Sequence, residues 1–518
     1  MTPVSGQTPP GQLTRRASLN TFASMVEWVV RLLVGFVINP VLVSGLGSFA
    51  YGVWQVLQQI VGYMSAAGGR PSQALKWSIA KLQVSSDVEQ KRRQVGSSLI
   101  VAVLFLPVLV PIGLCVAWFC PGWLDTPPDM VWPVRLAAAL IVLNPLLMNF
   151  LDVPRSVLEG ENLAYRLVWI SAFVVCVWGV LAVLAVNAGL GLPGVALALL
   201  ATTVLTGSLY FLVVRRHVRW FRSLRPGPEE LRAFLGLSGW FLAWRLVMQV
   251  LRSSDVIALG IADSAEMVSV YALTRYVPEA LVMVVSMIVI GAAPGLGGLI
   301  GAGEVERCAA VRSEVMSFTW LFATIAGVGI VLWNEDFIRL WVGAEFFAGE
   351  ISNLLIVLLA TQFAFVRTDA HIIDLTLELR KKVQFGALAS VLAVGLGVGL
   401  VLLGFGIAGL CAGFLVGRGI LTILYPILVG RTLSIPPFAQ LRATIRPAAA
   451  TFLLLGISIV VSRHVRAVEW VSLVGASLLT VVAAVPIAFF AGLSRSARLG
   501  LIRRTRRILE TLGEGGVS

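Results

Sequence analysis

The chain has 518 residues, of which 58% are hydrophobic and 13% charged, a balance that water-soluble domains rarely reach and helical membrane proteins reach routinely. A formal charge of +13 raises nucleic acid and an anionic membrane surface as partners; the basic residues sit almost entirely in alternate loops between apolar runs, so no nucleic acid is expected. Cys115, Cys120, Cys176, Cys308 and Cys411 lack the spacing of a disulfide framework or zinc site, and His217, His371 and His464 lie on separate segments, so neither metal nor cofactor is expected.

Residues 1–19 are polar, with adjacent prolines and no apolar core ending in a small-residue cleavage site, and read as a disordered cytoplasmic tail. Apolar windows of about 20 residues then place spans near 20–44, 47–68, 97–118, 132–154, 167–187 and 191–214, a first six-helix bundle over 20–214. A basic cytoplasmic linker (215–232) leads to spans near 233–261, 268–298, 315–333, 351–374, 385–403 and 406–429, a second bundle over 233–429. Spans near 447–462 and 469–493 complete an extra pair within 430–493. The fold class is therefore an all-α membrane protein of about fourteen transmembrane helices. The tail, 494–518, carries Arg503, Arg504, Arg506 and Arg507 beside Leu501, Ile502 and Ile508, the pattern of an amphipathic helix lying on anionic membrane lipids.

With the first residues placed inside, 30 of the 40 basic residues fall in cytoplasmic segments and three, Arg339, Arg463 and Arg466, in external loops. This bias puts both termini in the cytoplasm, and the basic loops serve as topology signals that need no ligand. External connectors 120–132 and 334–350 are short and acidic, too small for an extracytoplasmic catalytic domain.

An internal duplication is visible. Residues 190–216 laid over 405–431 match Gly191 with Gly406, Gly194 with Gly409 and Tyr210 with Tyr425 at an offset of 215. Residues 46–54 resemble 259–271 at an offset growing from 213 to 217. An even number of helices per copy implies one shared orientation and an axis along the membrane normal.

Ionisable groups inside spans are costly and face a bundle interior or a water-filled cavity. Span one carries Glu27 and Arg31, span seven Arg245, Gln249, Arg252 and Asp255, span eight Arg275 and Glu279, span ten Arg367 and Asp369, and span twelve Arg418. Arg135 and Arg367 lie near helix ends and are set aside as snorkelling. Arginine stays charged and presents a planar fork suited to phosphate or carboxylate. Arg31, Arg245, Arg252, Arg275 and Arg418 are therefore the candidates for holding an anionic headgroup. Two roles stand for Glu27, Asp255 and Glu279: binding Na⁺ or a proton, and partnering an arginine. Two also stand for Gln55, Gln58 and Gln59, with Gln249: lining the cavity, and bonding between helices. No catalytic residue is identified.

The segments LGSFAYGVWQVLQQIVGY (46–63), SSDVIALGIADSAEMVSVYALT (253–274) and FIRLWVGAEF (337–346), on this architecture, resemble the Wzx-type O-antigen and exopolysaccharide flippases of the multidrug/oligosaccharidyl-lipid/polysaccharide exporter superfamily. The resemblance implies a V-shaped pair of bundles in the bacterial inner membrane. Such a flippase moves an undecaprenyl-diphosphate-linked oligosaccharide outward by alternating access, in functional contact with a polysaccharide polymerase and without transferring a phosphoryl group. It also implies cavity arginines at Arg31, Arg245, Arg252 and Arg275. A lipid II flippase and a multidrug exporter of the same fold are the alternatives; export of organic cations calls for acidic cavity residues, and arginines outnumber acids here. A membrane glycosyltransferase or polymerase fits less well, since no acidic or metal site stands near a membrane face.

A reporter that is active only outside the cytoplasm, fused to the C-terminus, is expected to stay silent; activity there would refute the fourteen-span topology.

Overall fold

The computed structural model describes residues 10–503, apart from 70, 84, 86, 377–378 and 496. The helices are α1 (Pro10–Ala67), α2 (Pro71–Lys81), α3 (Val88–Trp123), α4 (Val131–Leu151), α5 (Val153–Gly160), α6 (Val168–Asn187), α7 (Gly191–His217) and α8 (Pro228–Ala262). They continue with α9 (Ala265–Thr274), α10 (Tyr276–Gly301), α11 (Val305–Trp341), α12 (Glu350–Thr376), α13 (Leu379–Leu400), α14 (Gly406–Thr432), α15 (Pro437–Ser462) and α16 (Trp470–Ile487). No strand occurs among the described residues.

Ten helical stretches are long and apolar enough to cross a bilayer, and α9 with α10, bent by 52°, makes an eleventh. Two of the ten, Met25–Ala67 with 43 residues and Arg380–Thr432 with 53, are about twice the length that one crossing needs. Each breaks at a glycine outside helical geometry, Gly47 (φ 81°) and Gly404 (φ 88°), and so holds two crossings. With α8, 35 residues long, each of the fourteen expected spans has a helix over it. One expectation is corrected: residues 10–19, assigned to a disordered tail, are the first turns of α1. Pro10 stands at the first helical position, where its missing N–H costs nothing. Residues 1–9 and 504–518 lie outside the described residues, and with them Arg504, Arg506, Arg507 and Ile508 of the expected amphipathic tail.

The chain divides into two compact units after Ser269, so α8 groups with α1–α7 and the linker expected at 215–232 lies inside the first unit. The linker is pinned to the start of α3. Arg92 Nε donates to the Trp220 carbonyl (2.9 Å), and the Leu224 amide donates to the Arg92 carbonyl (3.1 Å). Lys91 pairs with Glu161 at 3.0 Å, and the same carboxylate accepts from Trp220 Nε1 at 3.2 Å. Gly96 is required here: a Cβ would stand 1.9 Å from the Leu224 carbonyl oxygen. Beneath this clasp, Leu75 and Ile79 of α2, Val157 and Leu158 of α5, Val214 of α7 and Phe234 of α8 share one buried apolar cluster.

The duplication is legible inside each unit separately. The α6–α7 turn has Gly189 (φ 71°) and Gly191 (φ 54°), and the α13–α14 turn has Gly404 (φ 88°) and Gly406 (φ 50°), 215 residues on. A Cβ on Gly194 would meet Leu190 and Ala185; one on Gly409 would meet Phe405 and Leu400, the same pairs at the same offset. Tyr210 and Tyr425 are both buried. Glu159 and Asp374, again 215 apart, each hold basic groups: Lys76 (2.8 Å) and Arg155 (2.8 Å) on the first, Lys382 (2.5 Å) on the second.

The last two helices dock on α11 within the second unit. Leu454 and Leu455 of α15 and Ala484 of α16 join a buried cluster with Val328 and Val331 of α11, and Thr324 bonds Thr451 at 2.7 Å. At the far end the buried Asp336 carboxylate accepts from Arg339 (2.9 Å) and from the Ala467 amide (2.8 Å), fixing the α15–α16 turn.

Asp336→Ala leaves the buried Ala467 amide unmatched and takes the carboxylate from Arg339, and is expected to cost roughly 2–4 kcal/mol, lowering the thermal midpoint of the detergent-solubilised protein. Glu350→Ala, which breaks only an exposed pair with Arg463, leaves it unchanged; equal midpoints in the two variants would refute the clamp. Burial pushes the Glu159 carboxyl up, but Arg155 and Lys76 outweigh it and hold the group below its ordinary value. A lowered folded-state value stabilises fully above the ordinary carboxylate range, about pH 4.3, and the contribution is lost as pH falls through the folded value. Acid should therefore release α5 from α2 in the native protein, seen as amide exchange over 153–160, and Glu159→Gln should abolish that pH dependence; an unaltered acid response would refute it.

Candidate functional site

In the first unit, the N-terminal half of α1 carries Arg31, which donates to Glu27 Oε1 at 3.0 Å along the same helix face. Beyond the Gly47 break, Tyr51, Trp54 and Leu57 turn inward, with Trp54 stacked on Trp178 of α6 at 6.4 Å. Gln55, Gln58 and Gln59 on the same stretch are half-buried. One turn further, Gly62 leaves room for α8: a Cβ there would lie 2.3 Å from Gln249 Nε2. Gln249 is buried and donates to Ser253 at 3.1 Å, so it serves helix packing on α8 against α1.

The stripe read from span seven is thus divided by its packing. Gln249 points into the α1 contact. Asp255 is buried, its Oδ1 accepting from the Val256 amide at 2.9 Å. Arg245 is half-buried and Arg252 is exposed. Arg252 makes no hydrogen bond or ion pair with any described residue. It stands ten residues before the end of α8, about 15 Å along a helix, inside the span expected over 233–261.

In the second unit, Arg275 sits at the junction of α9 and α10, where the chain bends by 52°. Its guanidinium holds Glu279 Oε1 from Nε (2.9 Å) and from a terminal nitrogen (2.5 Å), reaches the Tyr271 hydroxyl (3.3 Å) and stacks on that ring (5.4 Å). Arg418 on α14 is buried, its guanidinium 5.0 Å from the centre of the Phe414 ring and 5.6 Å from that of Phe363, a desolvated cation–π setting. Arg31, Arg245 and Arg252 belong to the first unit, and Arg275 and Arg418 to the second.

Two pairs escape a reading of spans. Arg312, assigned to a cytoplasmic loop, lies inside α11 and grips Asp369 of α12 through Nε (2.9 Å) and a terminal nitrogen (3.0 Å), both side chains buried. Lys382, fully buried, donates to the Ala370 carbonyl (2.8 Å) and to Asp374 (2.5 Å), and its own carbonyl accepts from Tyr425 (3.1 Å). An acid inside a span was the available signal for the first; the partner, 57 residues away, is a fact of packing alone. Among the described residues no group of three or more His, Cys, Asp or Glu side chains could hold a metal ion.

No protein-family model and no curated protein matches the chain. Solved structures do. An inward-facing multidrug resistance MATE family transporter of the MOP superfamily aligns with TM-score 0.63 at 16% identity, over 79% of this chain and 98% of that one. An outward-facing conformation of a multidrug resistance MATE family transporter aligns with TM-score 0.58 at 17% identity, over 83% and 98%. A MOP superfamily transporter from Pyrococcus furiosus, whose binding pocket's reverse polarity suggests a different function, aligns with TM-score 0.55 at 17% identity, over 83% and 98%. At these identities the likeness shows the fold: this chain has that of the MATE transporters of the MOP superfamily.

Proposed function

We propose that the chain is an alternating-access transporter for an anionic amphiphile, an undecaprenyl-diphosphate-linked oligosaccharide carried from the cytoplasmic to the outer leaflet of a bacterial inner membrane. The fold supports the transport half of this reading, since the structures it resembles are transporters in inward- and outward-facing conformations. The multidrug exporter reading shares that fold, so the substrate has to be argued from charge.

Arg252 carries the argument. A guanidinium inside a span with no acidic partner is expensive unless water or an anion meets it, and its planar fork matches a phosphate better than a lysine would. The candidate acids are already engaged: Glu27 with Arg31, Glu279 with Arg275, and Asp255 with the backbone of α8. An exporter of organic cations needs free carboxylates, and two of these three are already paired with arginines one turn away. The Pyrococcus furiosus neighbour is a precedent for this fold carrying a binding pocket of reversed polarity. Asp255, in a buried position on the same helix, is the candidate for Na⁺ or proton coupling. The diphosphate passes through unchanged, so no enzyme activity accompanies transport.

In a flippase-null strain, Arg252→Ala is expected to express normally and lower surface polysaccharide at least tenfold, and Arg252→Lys to restore part of it. Full complementation by the alanine variant would overturn the anion site, and resistance to organic cations conferred by the native chain would favour the multidrug exporter.

A further inference from the structure

On the second unit, at the end of the membrane body expected to face the cytoplasm, two elements present arginines together with exposed apolar side chains. The first is the opening of α15. Phe438, Leu441 and Ile445 are exposed at 74%, 59% and 59%, and their spacing puts them on one helix face. Arg442 lies within that stripe and Arg446 at its edge, both exposed. The opposite face is anchored to the protein by Gln440, which donates to the Pro426 carbonyl at 3.0 Å. The second element is the helical segment over 497–503, opened by the Ser494 hydroxyl accepting from the Ala497 amide (3.2 Å). It exposes Leu499 and Ile502 beside Arg503, with Arg495 exposed just before it.

These elements converge at Phe490. Arg446 donates to the carbonyls of Ala491 (2.7 Å) and Phe490 (2.9 Å), while Arg498 lies over the Phe490 ring at 5.4 Å. Arg498 Nε is buried and has no hydrogen-bond partner among the described residues. Glu314 of α11 is an acid placed against the segment, its side chain 3.6 Å from where a Cβ on Gly500 would stand. Five arginines thus surround a rim of exposed apolar side chains, and the charge on that rim is strongly positive.

We propose that this surface binds the headgroup of an anionic phospholipid of the adjoining leaflet, independently of the transported substrate. Arg498 and Arg446 would take the phosphate, with Arg442 and Arg495 flanking, while Phe438, Leu441 and Leu499 sit among the upper acyl carbons. The occupant follows from the combination: the arginines call for an anion, and the apolar rim at the end of a crossing calls for one that brings its own hydrocarbon. A soluble phosphate satisfies only the first condition.

The test uses full-length protein in neutral detergent, titrated with phosphatidylglycerol or phosphatidylcholine and read by native mass spectrometry. The native chain should retain phosphatidylglycerol at least tenfold over phosphatidylcholine, and a variant combining Arg442→Gln, Arg495→Gln and Arg498→Gln should lose that preference. Lysine at the three positions should keep most of it. Arg442→Gln alone, at an exposed position with no ion pair among the described residues, should keep the native thermal midpoint and lose about threefold in preference. Equal retention of both lipids by the native chain, an undiminished preference in the triple variant, or stabilisation by inorganic phosphate as strong as by phosphatidylglycerol would overturn the proposal.

Discussion

Hydrocarbon offers no hydrogen bonds, and that constraint decides most of what is seen here. A backbone crossing it must be helical, and it can break only where the freed groups find other partners. A charge crossing it must be paired, stacked or wetted. The two long helical stretches obey the first condition by turning at glycines, Gly47 and Gly404. The second condition is met three ways: Arg312 against Asp369 as a forked pair, Arg418 under two aromatic rings, and Lys382 against a carboxylate and a backbone carbonyl. Each of these ties helices of one unit together. Replacing such pairs by apolar residues is often no loss in stability, so their value lies in fixing which helices meet and in what register.

The same logic separates arginines that build from arginines that are available. Arg31 and Arg275 each hold a glutamate one turn away on their own chain segment, an arrangement worth little as stability. Arg252 has no such partner among the described residues, and the proposed phosphate contact is assigned to it for that reason.

The helices and their order were legible because apolar runs of bilayer length are a coarse signal repeated fourteen times, and loop charge adds an independent check. The duplication was legible at Gly191, Gly194 and Tyr210 because a positive φ, a close approach and a buried ring each restrict the residue type, so both copies keep it. What the sequence does not report is depth and rotation. Gln249 and Arg252, three residues apart, read as one stripe; packing on Gly62 takes the first inward and leaves the second exposed. Arg312 read as a loop residue because α11, at 37 residues, extends well past the expected span, and nothing local in the sequence reports how far a helix protrudes. The linker read as a boundary because it is basic and lacks apolar runs; the Trp220 carbonyl and the Leu224 amide instead bond Arg92 of α3.

The two copies agree where the scaffold needs them to. Gly189 and Gly404 turn the chain at positive φ, Gly194 and Gly409 keep the same close approach, and Tyr210 and Tyr425 are both buried. The charges follow no such rule. α8, which the sequence assigns to the second copy, groups with the first unit by its contacts; there Gln249 is taken up by packing on Gly62, while Arg252 is left exposed. That difference in burial, more than the number of arginines, is why the proposed substrate contact is assigned to α8.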